Sequence, residues 1–177
     1  DDDVEGKAMK KQHIGMNFHG WRAWGPWSAA VLFLLWQVVF QFVYGFLADP
    51  IQKEFDLSPF EAASISSVYL LGYGLMQLPA GLLLDRFGVK RLLPAAAMLA
   101  ALSVSLFSYA EGFSDLVMTR AFAGMVMAFV FPGTGKIAQA RLPAARFALA
   151  MALADMCFGV GAVLASGLPW LLSALSW

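Results

Sequence analysis

Five stretches of apolar residues, each about as long as a lipid bilayer is thick, dominate this 177-residue chain. A helix needs about 20 predominantly apolar residues to cross a hydrocarbon core of about 30 Å. The segments predicted on this basis are 27–48, 62–84, 92–110, 116–135 and 147–172. Because the core of a bilayer offers no water to unpaired backbone groups, we expect each segment to be a helix. The sequence therefore predicts an all-α polytopic membrane protein with five transmembrane helices.

Composition supports a membrane protein and argues against several other classes. The chain is 60% hydrophobic and 14% charged, whereas soluble domains carry about 25% charged residues. Its single cysteine, Cys157, allows no intramolecular disulfide. The two histidines, His13 and His19, lack the spacing of metal ligands. We predict no metal site, no cofactor and no nucleic-acid partner.

The basic residues are distributed unevenly along the chain, which predicts its orientation. Ten of the twelve Lys and Arg lie in residues 1–26, in the loop after the second segment, or after the fourth segment at Lys136, Arg141 and Arg146. Cytoplasmic loops of membrane proteins carry the excess of Lys and Arg. We therefore expect residues 1–26 to be a basic cytoplasmic tail that meets membrane lipid, and residues 27–177 to lie in the inner membrane.

Charged residues and glycines recur at fixed spacing between the second and third segments. The pattern Gly-x-x-x-Asp-Arg-x-Gly-x-Lys-Arg is formed by Gly81, Asp85, Arg86, Gly88, Lys90 and Arg91. Glycine permits a tight turn, and an acid beside cations can join neighbouring helix ends. The pattern resembles the signature loop between helices 2 and 3 of the major facilitator superfamily. This resemblance implies a conformational latch that binds no substrate.

The resemblance also implies an architecture and an activity. Members of that family have two six-helix halves with the substrate bound between them at mid-membrane. Residues 27–177 would form most of the N-terminal half, so the expected partners are a sixth helix and a C-terminal half. The implied activity is secondary active transport, by symport or antiport, through alternating access in the full-length protein.

Two ionisable residues inside the predicted segments are candidates for the substrate or proton pathway. Arg120 lies a few residues into the fourth segment, and Asp155 lies within the fifth. Intramembrane charges are costly and commonly functional. An alternative for Arg120 is that its side chain reaches the headgroups at the outer surface. Asp155 is equally consistent with a structural pairing, although a direct ion pair with Arg120 is not expected.

Polar side chains at helical spacing mark one face on each of the first two segments. Amide and phenol groups facing lipid would lack hydrogen-bond partners, so these faces are expected to turn toward a pathway or toward neighbouring helices. The stripes comprise Gln37, Gln41 and Tyr44 on the first segment, and Tyr69, Tyr73 and Gln77 on the second. The pathway residues predicted from them are Gln37, Gln41, Tyr44, Tyr73 and Gln77.

Local signals refine the functional prediction. Ser58, Pro59 and Glu61 have the arrangement of a capped helix start. Residues 133–136 lack the spacing of a phosphate-binding loop, and no nucleophile–base arrangement is visible, so we predict no enzyme. Tyr73 and residues 77–79 precede the signature loop. With them, the overall pattern looks most like that of permeases for organic anions or phosphorylated sugars. The alternative is a truncated, non-transporting membrane protein that binds a partner through its open helical face.

Overall fold

The protein is a bundle of six helices in the computed structural model, which describes the backbone of residues 20–175 and the side chains of residues 24–171. Most of the predicted basic tail therefore lies outside the described residues. The helices are α1 (Gly20–Glu54), α2 (Pro59–Phe87), α3 (Val89–Ser108), α4 (Phe113–Met127), α5 (Val130–Arg141) and α6 (Ala144–Leu175). All regular secondary structure between residues 20 and 175 is helical, which confirms the predicted fold class.

Five segments of the described chain are long and apolar enough to cross a membrane. Four of them correspond to α1, α2, α3 and α6, and the fourth in chain order, Phe113–Arg141, combines α4 with α5. These helices extend beyond the predicted segments, except that α3 ends at Ser108, two residues before the predicted end at residue 110. Lys136 and Arg141, which the charge pattern assigned to a loop, lie within α5, because the helix continues past the apolar stretch that marked its end in the sequence.

The ends of α2 show how the sequence sets the bounds of its helices. Ser58 caps the start of α2, where its backbone N–H donates to Glu61 Oε2 at 2.8 Å and the Glu61 N–H donates to Ser58 Oγ at 3.3 Å. This reciprocal capping confirms the predicted helix start. Gly88 separates α2 from α3 with φ at 82°, a conformation that residues with a Cβ rarely adopt. One glycine is therefore enough to reverse the chain between two membrane-length helices.

The helices pack as two groups. In the first group, α4 lies against α2 along its length and also contacts α3. In the second, α1 packs on α6 and on α5. Direct contact between α1 and α2 is more limited. The fourth membrane-length segment belongs to both groups, because α4 packs in one and α5 in the other.

Ala128 and Phe129 separate α4 from α5. The Phe129 N–H donates to the carbonyl of Val126, three residues earlier, at 3.4 Å, so the helical hydrogen-bond ladder tightens there for one step. The helix then resumes, with the Gly133 N–H donating to Phe129 O at 3.0 Å. The change of packing partner along the fourth segment thus coincides with a local irregularity of its backbone.

Candidate functional site

Arg120 lies in the interior of the bundle, where α1, α2 and α4 meet. Its side chain is 2% exposed. The alternative in which this residue reaches the headgroups does not describe the structure, because the guanidinium points among the side chains of neighbouring helices. A buried cation in a membrane segment needs compensating interactions. The surroundings of Arg120 show which interactions it has.

Three aromatic rings surround the guanidinium and form what we call the aromatic cage, consisting of Phe40, Tyr44 and Tyr69. The Arg120 Cζ lies 5.1 Å from the ring centroid of Phe40, 4.8 Å from that of Tyr44 and 4.6 Å from that of Tyr69. Each desolvated contact of this kind contributes up to about 2 kcal/mol. Arg120 Nη1 also donates to the Phe40 carbonyl at 3.4 Å. Among the described side chains, no carboxylate pairs with Arg120.

Small residues and one hydrogen bond hold the aromatic cage in position. A Cβ on Gly124, one turn after Arg120, would clash with the backbone carbonyl of Tyr69, so only glycine allows α4 to approach α2 this closely. A Cβ on Gly72 would lie 2.7 Å from Ala121 O, which tightens the same interface. The Tyr44 hydroxyl donates to Ala62 O at 3.0 Å and fixes that ring. The cage is thus built by close backbone packing.

Polar groups without partners accompany the cage. Gln37 is fully buried, and its Nε2 donates to Gln41 Oε1 at 3.5 Å while its Oε1 has no hydrogen-bond partner. The Tyr69 hydroxyl and Arg120 Nε are also buried without a partner. The two polar stripes therefore meet at Arg120 through Tyr44 on α1 and Tyr69 on α2.

The remaining members of the stripes lie at the margin of this cluster. Gln41, Tyr73 and Gln77 are half-buried. Tyr73 stacks on Tyr69 with ring centroids 6.4 Å apart and an interplanar angle of 11°. A row of rings, continued by Tyr69 and Phe40 at 6.3 Å, thus leads from the half-buried face of α2 to the guanidinium.

Asp155 does not join this cluster. Its side chain lies on the exposed face of α6 and makes no hydrogen bond or ion pair with the other described residues. Within residues 24–171, Arg120 and Asp155 form no ion pair with each other. The structure therefore places one of the two intramembrane charges at the interior site and the other on an outer surface.

The signature residues occupy the end of the bundle at the α2–α3 turn, which we call the hairpin end. Asp85, near the end of α2, forms an ion pair with Lys136 on α5. Arg86 instead lies over the ring of its neighbour Phe87, at 5.3 Å. Lys90 and Arg91 line a groove of about 800 Å³ between α1, α3 and α5. Gly81 has open space where a Cβ would lie, so packing in this structure does not require glycine there.

Sequence reasoning left three residues out of its candidate sets. Phe40 and Tyr69 complete the aromatic cage, and Lys136 is the partner of Asp85. Tyr69 was detectable, because it stands four residues before Tyr73 on the same polar stripe. Phe40 and Lys136 carried no such signal. Phe40 lies among other apolar residues of the first segment, and Lys136 directly follows the fourth segment, where a basic loop residue is expected.

Comparison with known proteins relates these features to a family. The model of the family described as Major Facilitator Superfamily matches residues 27–177. The matched region includes α1 from residue 27 onward and all of α2 to α6, and therefore both the aromatic cage and the hairpin end.

Several curated proteins are similar to parts of the chain. "Uncharacterized transporter YybO" of Bacillus subtilis is 33% identical over 108 residues, which are 61% of this chain and 25% of that protein. "Probable galactarate/D-glucarate transporter GarP" of Escherichia coli is 31% identical over 139 residues, 72% of this chain and 30% of that protein. "Probable nitrate/nitrite antiporter NarK1" of Thermus thermophilus is 33% identical over 76 residues, 43% of this chain and 17% of that protein. The chain spans about a third or less of the length of these relatives.

Proposed function

Because the chain belongs to the Major Facilitator Superfamily, we propose that it takes part, within a full-length transporter, in secondary active transport of a small organic anion. The observation that carries this proposal is the burial of Arg120 without a carboxylate partner among the described residues. A bound anion would supply the missing countercharge. Charge-assisted hydrogen bonds to a guanidinium are about twice as strong as neutral ones, which suits a site that must select anions.

The environment of Arg120 favours binding of an anion over a purely structural role. Aromatic faces offset part of the cost of burying the cation, but they leave its full positive charge uncompensated. A structural arginine in a membrane segment costs less free energy when it lies beside an acid or at the headgroups. Neither arrangement is found for Arg120 within residues 24–171.

The named cargoes of two relatives support an anionic substrate. GarP is named as a transporter of galactarate and D-glucarate, and NarK1 as an antiporter of nitrate and nitrite. All four are anions. A phosphorylated sugar would also meet the electrostatic requirement, but a carboxylate anion agrees better with the name of GarP, whose two cargoes are carboxylates.

The hairpin end supplies the second part of the proposal, a conformational latch. The ion pair of Asp85 with Lys136 joins the last turn of α2 to α5, and so joins the two packed groups of helices. We place this end at the cytoplasmic face of the inner membrane, on the basis of its Lys and Arg content. The pair would break and re-form as the transporter exchanges its inward-open and outward-open states.

The alternative of a non-transporting protein that binds a partner has less support. It rests on the exposed apolar faces of α2 and α6, where Leu78 is 82% exposed and Val163 is 71% exposed. Such faces are also expected wherever helices meet lipid or further helices of a transporter. The relatives are named as transporters, which favours transport.

The test is uptake of a labelled organic anion, D-glucarate, by vesicles that contain the full-length protein. We expect Arg120→Gln to reduce uptake by about 100-fold, the effect of losing one charge-assisted interaction in a buried site. Arg146→Gln removes the same charge at an exposed position at the start of α6 and serves as the matched control. Normal uptake by a well-expressed Arg120→Gln protein would refute the proposal.

A separate measurement addresses the latch. Asp85→Asn should slow uptake severalfold while the affinity for the anion stays unchanged, since the Asp85–Lys136 pair lies outside the aromatic cage. An equal loss of affinity would instead assign Asp85 to substrate binding.

A further inference from the structure

The hairpin end carries a second concave surface, apart from the aromatic cage. It is the groove of about 800 Å³ between α1, α3 and α5, which we call the basic groove. Arg120 does not line it, and the Asp85–Lys136 pair touches it only through Lys136. The proposed transport and latch therefore leave the shape and the lining of this groove unexplained.

Small residues on three helices open the basic groove. Ala29 on α1, Ala97 on α3 and Ala140 on α5 all line it, and larger side chains there would fill the space between the helices. Ala30 and Leu93, which are buried, form an apolar floor. The groove is thus a slot with apolar walls at one end of the bundle.

The charged groups along the basic groove all have the same sign. Lys90 and Arg91 lie in the first turn of α3, and Arg141 is the last residue of α5. Lys136 also lines the groove, but it is paired with Asp85. Within residues 24–171, the other three cations form no ion pair, and no acid is among the described residues that line the groove. The groove therefore combines apolar walls with uncompensated positive charge.

This combination restricts what can occupy the basic groove. A small inorganic anion would meet the cations but leave the apolar walls uncovered. A further helix of the transporter would cover the walls, but it would pair with the cations only if it carried acids at the level of the α2–α3 turn. An anionic phospholipid joins a phosphate to acyl chains in one molecule, and basic pockets between membrane helices bind the headgroups of such lipids. Charge and apolar surface together favour the lipid.

We propose that the basic groove binds one anionic phospholipid of the leaflet at the hairpin end. Its phosphate pairs with Lys90, Arg91 and Arg141, and an acyl chain lies between α1, α3 and α5. Arginine suits this contact because its guanidinium can donate two parallel hydrogen bonds to a phosphate. The inference goes beyond the proposed transport, since this lipid is bound away from the aromatic cage and is not the transported solute.

The position of the basic groove gives the bound lipid a structural consequence. One wall, α3, belongs to the first helix group, whereas α1 and α5 belong to the second. A phospholipid in the groove therefore contacts both groups at the end of the bundle where the Asp85–Lys136 pair also joins them.

The experiment titrates the purified full-length protein with phospholipids and counts the bound molecules by native mass spectrometry. The probes are phosphatidylglycerol and phosphatidylcholine with the same oleoyl chains, so they differ in net charge and share their apolar part. We expect the first phosphatidylglycerol to bind about 10-fold or more tightly than phosphatidylcholine. Arg91→Gln and Arg141→Gln should each weaken phosphatidylglycerol binding about fivefold, the effect of one cation near an anionic lipid. Arg146→Gln removes an exposed cation outside the groove and should leave the binding unchanged.

A second pair of variants tests the apolar part without changing any charge. Ala97→Trp fills the basic groove and should weaken phosphatidylglycerol binding about 10-fold. Ala101→Trp places the same side chain one turn further along α3, at an exposed position outside the groove lining, and should leave the binding as it was.

Four results would overturn the proposal. Equal binding of the two lipids would mean that the groove does not select charge. Equal weakening by Arg141→Gln and Arg146→Gln would assign the attraction to the basic surface as a whole. Unchanged binding in Ala97→Trp would place the lipid elsewhere, as expected if another helix of the full-length protein fills the groove. Displacement of phosphatidylglycerol by an equal concentration of glycerol 3-phosphate would identify a site for a small anion instead of a lipid.

Discussion

Arg120 and Lys136 lie on the same membrane-length segment, but their charges differ in burial and in the groups that surround them. Lys136 has a side chain that is 27% exposed and pairs with Asp85, which is 68% exposed. Arg120 is 2% exposed and has aromatic rings around it in place of an acid. Exposed pairs of the first kind contribute about 1 kcal/mol or less, so they can break and re-form at little cost. A buried cation without an acid costs stability, which is the expected mark of a residue kept for binding.

The largest effect is expected from adding a side chain at Gly124, which packs against the backbone of Tyr69 in the aromatic cage. In Gly124→Ala the new Cβ meets the backbone carbonyl of Tyr69, which cannot rotate away. We expect a loss of about 3 kcal/mol in the free energy of unfolding, measured by thermal denaturation in detergent. Gly133→Ala near the hairpin end is the comparison, because its Cβ meets only the end of the Leu93 side chain, and it should cost about 1 kcal/mol or less. Equal losses would mean that the two regions tolerate crowding alike.

The next effect separates binding from stability. Arg120→Met replaces the buried guanidinium with an apolar side chain that packs well against aromatic rings. We expect the ligand-free protein to gain about 1–2 kcal/mol in its free energy of unfolding while anion binding is lost. Lys136→Met should change stability by about 1 kcal/mol at most. A marked loss of stability in Arg120→Met would show that the aromatic cage needs its cation as a structural element.

A smaller effect is expected at the edge of the aromatic cage. Tyr44→Phe removes the hydroxyl that donates to Ala62 O at 3.0 Å in the interior. The expected cost is about 1 kcal/mol in the free energy of unfolding, the usual contribution of one buried hydrogen bond. Tyr109→Phe, at a position that is 80% exposed, should have no measurable effect on the unfolding temperature. If the two variants unfold alike, the ring of Tyr44 is held by packing alone.

The smallest effect concerns the hairpin end. In a double-mutant cycle with Asp85→Asn and Lys136→Gln, we expect a coupling of about 0.5 kcal/mol, because solvent screens the pair. The coupling should fall further when the salt concentration is raised from 0.1 M to about 1 M, where charges are screened within about 3 Å. A coupling above about 2 kcal/mol, insensitive to salt, would remove the contrast between the two cations.

The sequence predicted the membrane-spanning helices well because their signal is local. An apolar stretch of about 20 residues has few alternatives, and Ser58 with Glu61 marked a helix start that the structure confirms. The ends of the helices were harder to predict from the sequence, since α1 and α5 continue through charged residues such as Lys53 and Lys136. Apolar composition marks where a helix meets lipid, while the helix itself can continue into the headgroups.

The site was predictable only in part, since its geometry depends on contacts between helices. Arg120 and Gln37 stood out as polar residues in apolar segments, whereas Phe40 looked like any apolar residue. Asp155 had the same sequence signal as Arg120, yet it lies on an exposed face. Residue type identified the candidates, but only the packing of α1, α2 and α4 separated the interior charge from the peripheral one.

The irregular step at Ala128 and Phe129 has a mechanical consequence. Within the described chain, the two helix groups are joined covalently at two places, the short connection from Glu54 to Pro59 and this step. Relative rotation of the groups must therefore be absorbed by a handful of backbone dihedral angles at these positions. Arg120 and Lys136 stand on opposite sides of the step, so a relative rotation of the two groups would change the surroundings of Arg120 and the Asp85–Lys136 contact together. The step therefore allows the two parts of the fourth membrane segment to move with different helix groups while they remain one continuous chain.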